Sequence, residues 1–135
     1  MLKFLVVTFL ALSTSAFAVS PYQVCDAIGT YRYTDKCIEI VNDASYFDDY
    51  ALYACHNIGS NLETVKCMRA IADYQFQERA VSVCNRISSN DDTVRCLKTI
   101  RGKEYNVEAL QLCDNYNSNS ATVTCLKKLR SKEIK

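Results

Sequence analysis

Histidine occurs once in this 135-residue chain, proline once, glycine three times and tryptophan never. A single histidine leaves most hydrolase triads and metal sites without their usual base or ligand. Three glycines cannot build a glycine-rich phosphate loop, and the Asp-rich spacing of an EF-hand is also missing. Charge of one sign is lacking too, with 16 basic residues facing 15 acidic ones. A balance so close to zero excludes a generally cationic nucleic-acid or membrane binder, so no nucleic-acid partner is expected. No apolar run reaches the roughly 18 residues of a membrane span. No stretch keeps the period of two, or carries the Asn-Gly dipeptides, that mark strands and hairpins. The 49% apolar and 23% charged residues that the chain does hold argue against wholesale disorder and fit one domain.

Residues 1–18 read as an address. Lys3 opens a basic start, Phe4 to Leu12 form a short apolar run, and Ala16-Phe17-Ala18 places small residues where a signal peptidase cuts. This pattern predicts export, with cleavage near Ala18 and a periplasmic or extracellular destination. The remaining chain, 19–135, loses only Lys3 from its charge count and so carries 15 basic and 15 acidic residues. All eight cysteines lie in it, and an even count in a small exported chain reads as a disulfide framework.

The cysteines stand at Cys25, Cys37, Cys55, Cys67, Cys84, Cys96, Cys113 and Cys125, which is C-x11-C four times, recurring after 30, 29 and 29 residues. The flanks repeat with them: ALYACHNIGSNLETVKCMRAI, AVSVCNRISSNDDTVRCLKTI and ALQLCDNYNSNSATVTCLKKL. The first copy, PYQVCDAIGTYRYTDKCIEIV, diverges most, as a terminal cap does. Around each first cysteine, apolar residues fall at offsets −4, −3, −1, 0 and +3 (Ala80, Val81, Val83, Cys84 and Ile87 in the third copy), an arc of about 160° on one helix face. Around each second cysteine they fall at −2, 0, +1 and +4 (Val94, Cys96, Leu97 and Ile100). Between the two lies a polar turn in which Gly59 suits a left-handed terminator and Asn61, Asn90 and Asn119 suit helix caps. Asp48-Asp49 and Asp91-Asp92 fit helix starts, Asn106 another cap, and Gly102 a helix end. Tyr46, Phe76 and Tyr105, nine residues past each second cysteine, are expected to pack between units.

The predicted fold is therefore all-α: four tandem disulfide-stapled helical hairpins, about 21–49, 50–79, 80–108 and 109–135, stacked as a short α-solenoid. The plan resembles tetratricopeptide-like and Sel1-like solenoids in outline. Their repeats of about 34 to 36 residues are absent, so no family function is carried over. Pairing within hairpins, Cys25–Cys37, Cys55–Cys67, Cys84–Cys96 and Cys113–Cys125, uses every cysteine, whereas Cys67–Cys84 pairing across units strands Cys25 and Cys125. The within-hairpin set is expected, each closure contributing about 3 kcal/mol through chain entropy.

Chemistry is sparse. His56 falls on an outward offset filled elsewhere by Asp26, Asn85 and Asp114, and no nucleophile is placed beside it. Zinc spacing and C-x-x-C redox motifs are missing. No catalytic residue, metal site or cofactor is expected. One surface pattern remains: the second helices carry cations at −1, +2 and +5, namely Lys66 and Arg69, then Arg95, Lys98 and Arg101, then Lys127 and Arg130. Stacking turns these into a ladder suited to an acidic protein or anionic polymer. Residues 19–49 hold six acidic and two basic residues while 94–135 hold nine basic and four acidic, so the chain is graded in charge. Tyr31, Tyr33 and Tyr53, on turn or outward offsets, form a second candidate contact surface. The functional expectation is a secreted, non-enzymatic binding module. The rival readings are a metal-handling protein, a Cys-rich effector or toxin, and, last, a small secreted enzyme.

Overall fold

A computed structural model describes residues 18–135, so the predicted signal segment lies outside the described residues except for Ala18. Eight helices follow one another: α1 (Pro21–Asp26), α2 (Tyr31–Asp43), α3 (Asp49–His56), α4 (Asn61–Ile71), α5 (Glu78–Asn85), α6 (Asn90–Ile100), α7 (Val107–Asp114) and α8 (Asn119–Lys128). Odd and even helices form two rows. In one row α3 packs on α1 and α5, and α5 on α7; in the other α4 packs on α2 and α6, and α6 on α8. Each odd helix also packs on the even helix that follows it. The result is the expected stack of four hairpins, with buried residues from every unit joined in one core.

All four disulfides close within hairpins, at Cα–Cα distances of 5.4 to 5.5 Å. Cysteines in antiparallel helices, equidistant from the turn, come level with one another, within the usual span of a disulfide. Four such bonds are the chemistry of an oxidising compartment. No helix among the described residues is long and apolar enough to cross a membrane.

The helix starts differ from expectation by one residue. Asn61, Asn90 and Asn119 are the first helical residues, and Ser60, Ser89 and Ser118 before them are the N-caps. Ser89 and Ser118 accept from the backbone N–H of Asp92 and Ala121, each at 3.4 Å. A threonine at −3 from every second cysteine completes the turn. Thr64, Thr93 and Thr122 donate back to the carbonyls of Ser60, Ser89 and Ser118 at 2.8, 2.9 and 3.1 Å. A hydroxyl that satisfies its own helix carbonyl is tolerated at a buried site, and all three threonines are buried. Asp48 and Asn106 cap α3 and α7 as expected. Gly59 is not left-handed, because α3 has already closed on Asn57 and Ile58, the N–H of Ile58 reaching the Cys55 carbonyl at 3.2 Å.

The links between hairpins stack as well. Asp73 N–H donates to the Tyr46 carbonyl at 3.0 Å, and Gly102 N–H to that of Gln75 at 2.9 Å, one repeat later. The column continues where the third link meets the segment after the last hairpin: β1 (Lys103–Tyr105), just before α7, pairs antiparallel with β2 (Ser131–Glu133), which follows α8. The pattern indicated no strands; three residues are too few to show alternation, and this pairing arises only once the hairpins stack. Tyr46 is a second correction. It is 46% exposed, while Phe76 and Tyr105 are buried. The first link is one residue longer than the others, so the spacing has to be counted back from the next cysteine. Phe47, eight before Cys55, is then the equivalent of Phe76 and Tyr105, and it packs against the core. Asp48, buried beside it, ties this link to the next by accepting from Phe76 N–H at 3.4 Å. Gln77 does the same one unit on, exchanging two bonds of 3.0 Å with the Tyr105 backbone.

Candidate functional site

The cationic ladder forms on the even row. The disulfides and the apolar offsets of α4, α6 and α8 point these helices' −2, 0, +1 and +4 positions inward. That turns offsets −1 and +2 outward. Lys66, Arg69, Lys98 and Arg101 border a hollow of about 330 Å³ between α4 and α6, floored by Ala70. Arg95, Lys98, Lys103 and Lys127 border a second, of about 360 Å³, between α6 and α8. Lys98 borders both, so the two hollows adjoin along one basic strip. Lys103 was not singled out in the sequence because it lies in β1, outside the helical spacing. Its signal was its place two residues past Arg101 in an already basic stretch.

Not every cation is free. Lys66 pairs with Glu63 at 2.7 Å and Arg95 with Asp92 at 2.8 Å, each three residues back on its own helix. Donating to the Glu63 carboxylate holds the Lys66 ammonium above the ordinary lysine value. Arg101 caps α6 and lays its guanidinium over the Tyr74 ring, 4.6 Å from the centroid. Among the described residues Arg69, Lys98 and Lys127 have no acidic partner in salt-bridge range. Arg130 falls away from the ladder. Helix α8 ends at Lys128 and the chain turns extended, so Arg130 borders a separate hollow with Glu104, Tyr105 and Lys132.

The tyrosine group divides. Tyr31 is 83% exposed at the start of α2, and Tyr53 is exposed on α3. Tyr33 packs partly against the core and offers less surface than its turn position suggested. His56 is an exposed residue in the last turn of α3. Asp48-Asp49 and Asp91-Asp92 sit at helix starts, with Asp48 and Asp92 occupied by backbone or arginine partners. No group of three or more potential metal ligands comes together among the described residues. Comparison with protein-family models, with curated proteins and with solved structures finds no match, so function is argued from this geometry alone.

Proposed function

We propose that this is a secreted, non-enzymatic binding module whose even-helix face docks an acidic protein segment or an anionic polymer. The observation that carries the reading is the pair of adjoining hollows bordered by Lys66, Arg69, Lys98, Arg101, Arg95, Lys103 and Lys127, five of these cations having no acidic partner in salt-bridge range among the described residues. Closely spaced cations along a concave strip raise the local concentration of an anionic chain and speed its capture. Export through the signal segment 1–18 to the periplasm or the extracellular space fits the four closed disulfides.

Poly-glutamate and a sulfated polysaccharide serve as probes, titrated into the protein and read by calorimetry. Replacing Lys66, Arg69, Arg95, Lys98 and Lys127 by Gln keeps length and helix propensity close to the original. Affinity for both probes should fall at least about tenfold, and binding by the unaltered protein should weaken as salt rises past about 0.15 M. Binding that ignores both salt and the replacements rejects the groove. The exposed Tyr31 and Tyr53 then become the surface to test, by Tyr31→Ala and Tyr53→Ala.

A further inference from the structure

Burial at equivalent positions shows which way each apolar residue looks along the stack. Offset −3 from the first cysteine is buried in the second, third and fourth hairpins (Leu52, Val81, Leu110) but 50% exposed as Tyr22 in the first. That position therefore faces the preceding hairpin. Offset −1 behaves oppositely: Val24, Ala54 and Val83 are buried, and Leu112 in the fourth hairpin is 69% exposed. It faces the following hairpin. Offset +3 agrees, with Ile28, Ile58 and Ile87 buried and Tyr116 exposed.

The second helices say the same. Offset +1 is buried in Met68, Leu97 and Leu126 and only partly in Ile38 of the first hairpin. Offset +4 is buried in Val41, Ile71 and Ile100 and only partly in Leu129 of the last. Each end of the stack thus presents one half of the joint that is made three times inside it. The two halves also differ in charge. At the −2 position, where later hairpins have Val65, Val94 and Val123, the first has Asp35. At +3, where the second and third have Ala70 and Thr99, the fourth has Lys128. The first-hairpin end is acidic, six residues against two over 19–49, and the fourth hairpin basic, five against two over 109–135.

We infer that a second copy of this chain docks head to tail: the open fourth-hairpin face, with Leu112, Tyr116 and Leu129, packs on the open first-hairpin face, with Tyr22 and Ile38. The joint reproduces the spacing and polarity of the internal ones, and the opposite charges of the two ends favour this pairing over like with like. Such a contact is heterologous, so it leaves one open face at each end of any assembly and adds copies stepwise unless the rotation closes a ring. The even-row groove lies to the side of this joint and stays accessible in the stack.

Sedimentation of the exported protein over a range of concentrations tests this. The unaltered chain should pass from monomer through dimer to larger species, and the association should weaken as salt rises past about 0.15 M. Leu112→Glu and Tyr22→Glu should each raise the dissociation constant at least about tenfold, both keeping the native helical circular dichroism because both sites are exposed. Mixed together they should form one-to-one dimers and nothing larger, since each retains the face that the other lacks. A chain that stays monomeric at every concentration overturns the inference. So does association lost in Leu112→Glu but untouched in Tyr22→Glu, which means two fourth-hairpin faces meeting each other. Failure here leaves the groove untouched, because probe binding to the groove is read on the monomer.

Discussion

Hairpins two and three differ from hairpins one and four less in composition than in what surrounds them. Val83 and Leu112 occupy the same offset on the same kind of helix, and Leu112 is the larger hydrophobe, yet only Val83 is buried. Cys37, Cys67 and Cys96 are wholly buried while Cys125, the same position in the last unit, is partly open. In a stacked repeat, burial belongs to the joint between units rather than to the residue. The middle of the stack should therefore be sensitive to changes that its ends tolerate.

The sharpest way to break that contrast is one substitution made twice. Val83→Asp buries an unpaired carboxylate between hairpins and should destabilise by about 4 kcal/mol or more, or prevent folding. Leu112→Asp at the same offset should stay within about 0.5 kcal/mol in the monomer. Chemical denaturation of both reads the difference directly. Equal effects would mean that the exposed offset of the fourth hairpin is buried after all.

Next in size are the staples. Replacing Cys84 and Cys96 together by Ala should cost about 3 kcal/mol, from the entropy of a freed loop, with loss of packing at two wholly buried sites adding to it. The same change at Cys113 and Cys125 should cost less, because that hairpin has a neighbour on one side only. Under limiting reductant Cys113–Cys125 should open first, Cys125 being the accessible member. Alkylation followed by peptide mapping gives the order of opening. Simultaneous opening of all four would show that the ends are held as tightly as the middle.

The architecture was legible because a cysteine period is insensitive to the substitutions that blur other patterns. Twelve-residue spacing, an apolar arc on each side and a polar turn between them dictate a stapled hairpin whichever aliphatic fills each place. Details governed by one hydrogen bond were less legible. Whether Ser60 or Asn61 caps α4 depends on a backbone register that both residue types accept. Tyr46 was misplaced because counting forward from Cys37 ignored the single extra residue that counting back from Cys55 reveals. The strands β1 and β2 could not be seen at all, since their partners, Lys103 with Glu133 through Tyr105 with Ser131, are far apart in the chain and meet only through stacking. For the candidate site, the spacing of the ladder was readable, whereas its neutralisation by Glu63 and Asp92 and the recruitment of Lys103 depended on side-chain placement.

A smaller contrast lies between the links. Burial holds the Tyr105 hydroxyl above the ordinary tyrosine value of 10.0, with the neutral O–H donating to the Thr99 carbonyl at 3.3 Å. As pH rises past about 10, the unfolded chain releases this proton before the folded one does. The associated stability is complete below that pH and declines above it. Tyr105→Phe should therefore flatten the alkaline limb of a stability profile, at a loss near neutrality of about 1 kcal/mol for the missing hydrogen bond. Tyr46→Phe, in the open first link, should change both less. Thermal unfolding between pH 8 and 11 checks the pair, and an identical alkaline limb in all three proteins would place the titration elsewhere.

The smallest effect concerns how two links solve one backbone problem. The chain turns through left-handed geometry at Asp73 (φ 62°) in the second link and at Gly102 (φ 64°) in the third. Asp73 offsets the strain of its Cβ by accepting from the N–H groups of Ser45 and Tyr46, at 2.7 and 3.1 Å. Gly102 has no such strain and makes no such bonds. A Cβ at Gly102 would meet only ordinary contacts, 3.5 Å from the Tyr74 ring and 3.7 Å from the Ile134 carbonyl oxygen, so conformation rather than crowding sets the outcome. Gly102→Ala should then cost about 1 kcal/mol. Gly102→Asp should cost less than Gly102→Ala, because its carboxylate would sit one repeat on from that of Asp73, on the side of the Gln75 N–H, the Tyr74 N–H already donating to the Ile71 carbonyl. Asp73→Ala, which keeps the strain and loses both bonds, should be the worst of the three, and Asp73→Gly milder than Asp73→Ala. Denaturation midpoints that rank Gly102→Asp below Gly102→Ala would show that the third link does not share the geometry of the second, and that the stacking of links is less regular than that of the helices.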